Sequence, residues 1–303
     1  MLNRIAAPQL LKRSRYYQPA RMLAFKMAGR NPMASVQEAV EGHTTARRFS
    51  EVLAGFLSSC QPLKQDPCGL NLWRTPKGEV WAPCQDSMKD LCWVLTEVAV
   101  GVYGSPDVSV RPGDTVIDCG ANIGLFARDA IARGADKVIA IEPAALNLEC
   151  LRRNLRADIS MGRVVLLGKG LWDSDGSLPF AINERSSLAN SFVMGGGGKT
   201  NDDLTPVTTL DRIARDLGLS RIDLIKMDVE GAEQRALQGA RRILVRDRPR
   251  LAIGIEHELP TILDNAKAVR NVVLKINPAY KLHCGLCIED SNRVITPQVL
   301  WFH

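Results

Sequence analysis

Between residues 115 and 256, five short apolar runs alternate with amphipathic stretches, and this alternation limits the chain to few folds. The runs fall at 115–119, 137–142, 163–169, 222–228 and 250–256, with helical patterns at 123–133, 144–156, 209–217 and 231–244. Nearly continuous apolar strands separated by helices are what a parallel sheet covered on both faces requires. The pattern predicts an α/β fold with a Rossmann-like, doubly wound, mostly parallel sheet. Ahead of it, Met88, Leu91, Leu95, Val98 and Val102 recur at helical spacing, predicting a helix over Asp86–Tyr103 with Asp86 as its N-cap. Residues 70–82 read as a hairpin turning at Thr75–Gly78, and 174–193 as an inserted hairpin. The run Gly195–Gly198 reads as a lid loop, and the chain from Asn277 onward as a C-terminal hairpin or edge.

A chain of 303 residues accommodates one such domain with an added terminal region. We expect a basic, partly helical N-terminal extension over 1–69 and the α/β domain over 70–303. Residues 1–37 hold seven basic side chains and no acid, which exceeds the net charge of +6, so the remainder is near neutral. Nucleic acid is therefore not implied as a partner. The basic segment reads as an organellar transit peptide, a surface arm for anionic lipid or a frayed terminus, and Pro8, Pro19 and Gly29, which break any long amphipathic helix, favour the last. No stretch approaches the ~18 apolar residues of a transmembrane segment, and the irregular spacing of eight cysteines favours a reducing compartment. A soluble, cytoplasmic protein is expected.

The sharpest motif is Thr115-Val116-Ile117-Asp118-Cys119-Gly120-Ala121-Asn122-Ile123-Gly124, a strand running through a glycine turn into a helix. Gly120 permits the turn, and Gly124 is expected to admit a ligand close to the backbone. The pattern Asp-x-Gly-x-x-x-Gly differs from the dinucleotide Gly-x-Gly-x-x-Gly. Pyrophosphate calls for glycine amides at a helix N-terminus, whereas the cationic sulfonium of S-adenosylmethionine tolerates a nearby acid. The next strand ends in Glu142, 22 residues beyond Gly120, where an acid accepts hydrogen bonds from ribose hydroxyls. In the fourth run, period-2 geometry places Lys226, Asp228 and Glu230 on one face if the strand persists. Ligands bind beyond the carboxyl ends of such strands, so these ionisable groups are candidate active-site residues.

Here the chain resembles the FkbM-type methyltransferase family. The matching segments are Val116 to Gly124, Ile141-Glu142-Pro143, Thr209-Leu210-Asp211, Asp223 to Glu233 and Ile255-Glu256-His257, in family order, within about residues 70–280. The most specific is Lys226-x-Asp228-x-Glu230-Gly231-x-Glu233. The resemblance implies a fold of class I methyltransferase type and S-adenosylmethionine-dependent methylation, usually at a hydroxyl oxygen of a sugar, polyketide or similar small molecule. It implies that Asp118, Gly120, Ala121, Asn122 and Gly124 hold the methionine end, that Glu142 holds the ribose, and that Asp228 lies beside the methyl group. Trp172, in Gly170–Asp173, is expected near the adenine.

A hydroxyl acceptor has to lose its proton, and Asp228, Glu230, Glu256 and His257 are candidate bases, with Lys226 beside them. His257 suits the task by its ordinary pKa, although a strand-end histidine is as often structural. A divalent metal on Asp228, Glu230 and Glu256 is conceivable, but the spacing does not require one and no metal site is assigned. Alternative readings are a non-catalytic cofactor-binding scaffold and a NAD(P)-dependent oxidoreductase. Gly198-Lys199-Thr200 lacks the earlier glycine of a Walker pattern, and Cys284-x-x-Cys287 lacks a second pair with zinc spacing.

Overall fold

Alternate residues of the central strands enter two separate apolar layers, the packing that near-continuous apolar runs require. In the computed structural model, Ile117, Cys119, Ile139, Ile141, Ile225 and Met227 belong to one layer, and Val116, Val138, Ala140 and Leu224 to the other. The structure describes residues 17–183, 186–192, 199–200, 204–255, 261–290 and 292–303. The strands of the main sheet are β1 Thr115–Cys119, β2 Lys137–Ile141, β3 Val164–Leu167, β4 Leu224–Met227, β5 Arg250–Gly254, β6 Leu282–Gly285 and β7 Val299–Phe302. They lie in the order β3-β2-β1-β4-β5-β7-β6. β1 to β5 are parallel, and β7 pairs antiparallel with both β5 and β6. The fold is the expected Rossmann-like, doubly wound sheet. Its order reverses at β1 and β4, the switch point where such sheets leave a crevice for ligands.

The expected helix over 86–103 is shorter. Ser87, with a reciprocal capping box to Asp90, starts it at Met88, and left-handed Gly101 (φ 76°) ends it after Val100. Asp86 is thereby released for another task, and Tyr103 lies beyond the helix. The pattern at 231–244 resolves into two helices, Glu233–Gln238 and Arg241–Arg246. They part at Gly239, whose carbonyl accepts from Asp211 N and whose Cβ position lies 2.2 Å from the Trp172 carbonyl oxygen. A helix over Ile262–Ile276, capped by Thr261, was not anticipated.

Near the N-terminus, helix Val36–Ser59 opens with a Ser35–Glu38 capping box. It packs so closely on the C-terminal region that a Cβ on Gly42 would meet the Cys287 backbone at 2.3 Å. Strand Gln61–Gln65 pairs with Leu70–Thr75, and that with Gly78–Pro83, so hydrogen bonds bridge the expected boundary at residue 69. The glycine run 195–198 lies outside the described residues. Among the described residues no helix is long and apolar enough to cross a membrane. All eight cysteines are unpaired.

Candidate active site

The two turns that follow β1 and β4 interlock. Gly120 has φ +73°, and a Cβ there would stand 1.8 Å from the Asp228 carbonyl oxygen, so only glycine fits. Gly124 is also left-handed, but its Cβ position is occupied by Leu151 at 2.6 Å. Its lack of a side chain thus serves packing against Leu151 and Leu155, a role that the sequence did not suggest.

Asp118 on β1 and Lys226 on β4 are direct cross-strand partners. Both carry their side chains into the sheet interior, Asp118 at 0% exposure, with Lys226 Nζ 3.3 Å from Asp118 Oδ1. The ammonium also donates to the Gly120 carbonyl at 2.7 Å and lies 5.2 Å from the centre of the Tyr103 ring. Burial alone would push the Lys226 pKa down, but the neighbouring Asp118 and Asp228 carboxylates outweigh it and raise the value, so Lys226 stays protonated.

Asp228 follows the last residue of β4. Its Oδ2 accepts from the Tyr103 hydroxyl at 2.8 Å, and its Oδ1 lies 3.0 Å from where a Cβ on Gly254 would be. The strand does not persist to Glu230 as the alternation assumed. It ends at Met227, and Glu230 turns with left-handed backbone (φ 53°), its carbonyl accepting from the Ser191 hydroxyl at 2.6 Å. Lys226, Asp228 and Glu230 still line one cleft.

At the tip of β2, Glu142 takes N–H bonds on both carboxylate oxygens. Oε2 accepts from Asn122 N, and Oε1 from Ala144 N, each at 2.9 Å. Asn147 Nδ2 reaches Oε1 at 3.4 Å, while its own Oδ1 is buried without a hydrogen-bond partner. Burial pushes the Glu142 carboxyl up to about 7 despite these donors. Asn122 itself is left-handed (φ 49°), a costly conformation that collects at functional sites.

The remaining wall comes from the inserted segment. Buried Asp86, in place of capping a helix, accepts from Ser187 N at 2.6 Å and Ser187 Oγ at 2.7 Å. This fixes the turn carrying Leu188 and Asn190 into the cleft, next to Phe180 and Phe192 with ring centres 4.5 Å apart. The cleft combines these apolar side chains with a few convergent polar groups, the make-up of small-molecule sites.

Gly120, Ala121, Asn122, Glu142, Lys226, Asp228 and Glu230 line this cleft. Asp118 lies beneath its floor and Gly124 behind it. Trp172 does not line the cleft but stands behind its wall, its ring centre 6.5 Å from that of Phe192 and 5.7 Å from the Arg235 guanidinium, while Gly170 and Leu171 reach the cleft. Glu256 and His257 fall outside the described residues. Sequence reasoning missed Tyr103, Asn147, Asp86 and Ser187. Asn147 stands in the first turn of the helix after Glu142, a position that could have pointed to it.

Residues 118–276 match the family profile described as methyltransferase FkbM domain. The chain is 32% identical over 163 residues to methyltransferase sdnD of Sordaria araneosa, covering 44% of this chain and 63% of that protein. It is 30% identical over 161 residues to 31-O-demethyl-FK506 methyltransferase FkbM of Streptomyces tacrolimicus, covering 44% of this chain and 61% of that protein. The chain thus spans less than two thirds of either relative. A crystal structure of methyltransferase FkbM from Methylobacillus flagellatus KT aligns with a TM-score of 0.49 at 20% identity, over 88% of this chain and 59% of that one.

Proposed function

The chain belongs to the methyltransferase FkbM domain family, and from that premise we propose that it methylates a hydroxyl oxygen of a small metabolite, using S-adenosylmethionine. The observation that carries the cofactor assignment is at the tip of β2. There the Glu142 carboxylate and the unpartnered buried Asn147 Oδ1 stand side by side on the cleft wall, two acceptors suited to the vicinal hydroxyls of a ribose. Phe180, Leu188 and Phe192 offer an apolar wall for a base, and the cleft continues past Gly120 to Asp228. The residues present therefore fit an adenosyl nucleoside with a charged tail. When bound, the cofactor supplies a methyl group on positive sulfur, already activated for in-line displacement.

What the chain contributes is alignment, exclusion of water and custody of one proton. Asp228, oriented by the Tyr103 hydroxyl, accepts the proton of the acceptor hydroxyl. Lys226, held protonated by Asp118, sits below that carboxylate and balances its charge. Glu230 shapes the turn beside it. Glu256 and His257 stay candidates for the same proton. No metal is needed in this scheme.

Calorimetry with S-adenosylhomocysteine and with NAD, followed by a mass-shift screen of hydroxylated metabolites with S-adenosylmethionine, tests the reading. We expect binding of the first ligand only and a methyl gain of one hydroxylated acceptor. Asp228→Asn should keep S-adenosylhomocysteine affinity and lose turnover. Preference for NAD would overturn the cofactor assignment, and full activity in Asp228→Asn would overturn the role of that carboxylate.

A further inference from the structure

At the β6–β7 edge of the sheet, away from the cleft, two of the chain's four histidines meet an aspartate. β6 and β7 pair His283 with Trp301, so His283 and His303 are diagonal neighbours on one face. Their ring centres are 5.1 Å apart. Asp107, from the loop after the helix Met88–Val100, brings Oδ2 to 3.8 Å from His303 Nδ1. One ligand atom from each of Asp107, His283 and His303 lies within 4.8 Å of the other two. His303 Nδ1 is buried and makes no hydrogen bond, and the Asp107 side chain is 62% exposed. Glu38 Oε1, which accepts from Cys284 N at 2.7 Å, stands 3.8 Å from His283 Nδ1.

We propose that Asp107, His283 and His303 form a zinc(II) site that staples the 101–110 segment to the β6–β7 ladder. Two imidazoles and one carboxylate, with a fourth position open to solvent, are a zinc donor set; calcium and magnesium prefer oxygen donors throughout. Zinc–ligand distances of about 2.1 Å place tetrahedral ligand atoms roughly 3.4 Å apart, so the three groups close by about 1.5 Å, which the exposed Asp107 on its loop allows. The neighbouring Arg248 guanidinium is engaged elsewhere, donating to the carbonyls of Ala279 and His303. The stapled segment reaches from the carboxyl end of the parallel strands to their amino end. Tyr103, at its start, holds Asp228 beyond β4, and the Ser109 carbonyl, near its end, accepts from Arg250 at the start of β5. Metal at Asp107 therefore fixes the segment that carries Tyr103 without touching the cleft.

The test is titration of the metal-stripped full chain with zinc chloride by calorimetry, with thermal unfolding in zinc and in magnesium. We expect one zinc per chain and a rise in Tm with zinc alone. His283→Gln, His303→Gln and the loop variant Asp107→Ala should each weaken zinc binding at least tenfold and abolish the rise, whereas Cys284→Ala/Cys287→Ala should change neither. Absence of zinc binding in the parent chain, binding that survives both histidine changes together, or binding lost only in the cysteine variant would each overturn the site.

Discussion

Two acids that look alike in the sequence, each closing an apolar strand before a turn, occupy opposite situations in the structure. Asp118 is the penultimate residue of β1, sealed in the sheet at 0% exposure against Lys226. Glu142 lies one residue past the end of β2, on the wall of the cleft, with three N–H groups around it and an unused acceptor in Asn147 alongside. A shift of two positions relative to the strand end separates a carboxyl on the cleft wall from a counter-charge sealed beneath it. The difference teaches that motif position alone does not assign a carboxylate; its offset from the last ladder hydrogen bond does.

The contrast breaks most sharply at Asp118. Asp118→Ala should strip the buried Lys226 ammonium of its adjacent carboxylate, leaving the Gly120 carbonyl and the more distant Asp228, and cost up to about 3–5 kcal/mol of stability by chemical denaturation; a loss confined to ligand affinity would put Asp118 in the cleft instead. Glu142→Ala should do the reverse, weakening S-adenosylhomocysteine about 10- to 100-fold by calorimetry, as loss of charged hydrogen bonds predicts, with the smaller effect on stability. Unchanged affinity would remove Glu142 from the ligand.

The raised Glu142 value gives the third test. Its carboxyl moves from 4.5 in the unfolded chain to about 7 in the folded one, so between those values the native state holds a proton that the unfolded state has released. The stability this proton contributes is full below 4.5 and is lost as pH rises through 7. The ionised form is the better acceptor for hydroxyl donors, so S-adenosylhomocysteine affinity should rise about tenfold from pH 6 to pH 8. Glu142→Gln should flatten both profiles, and a parent profile already flat would contradict the assignment. Smallest of all, Asn147→Ala should weaken the same ligand about threefold to tenfold, the worth of one neutral hydrogen bond.

Much of the sheet was legible because apolar runs and their spacing are properties of contiguous residues. β1 to β5, the Gly120 turn and the cluster of Lys226, Asp228 and Glu230 all follow from such runs. Local pattern did not reach groups that meet across the chain. Tyr103 is 125 positions from Asp228, and Asp86 is 101 from Ser187, and neither pairing leaves a trace in its own neighbourhood. Asp86 looked like a helix cap because an acid before an amphipathic run usually is one, yet Ser87 took that place with a reciprocal partner in Asp90. Alternation failed at Glu230 because a positive φ resets which way the next side chain points.

The interlock of Gly120 with the Asp228 carbonyl bears on how such an enzyme can diversify. Any side chain at residue 120 would push the second turn, and with it the Asp228 carboxylate, out of register, so the bottom of the pocket is closed to evolutionary tinkering. Under the proposed function, new acceptors have to be accommodated from the rim, through Val94 and Val98 on the neighbouring helix. Directed libraries placed on those two positions should change what is methylated while leaving the cofactor wall intact.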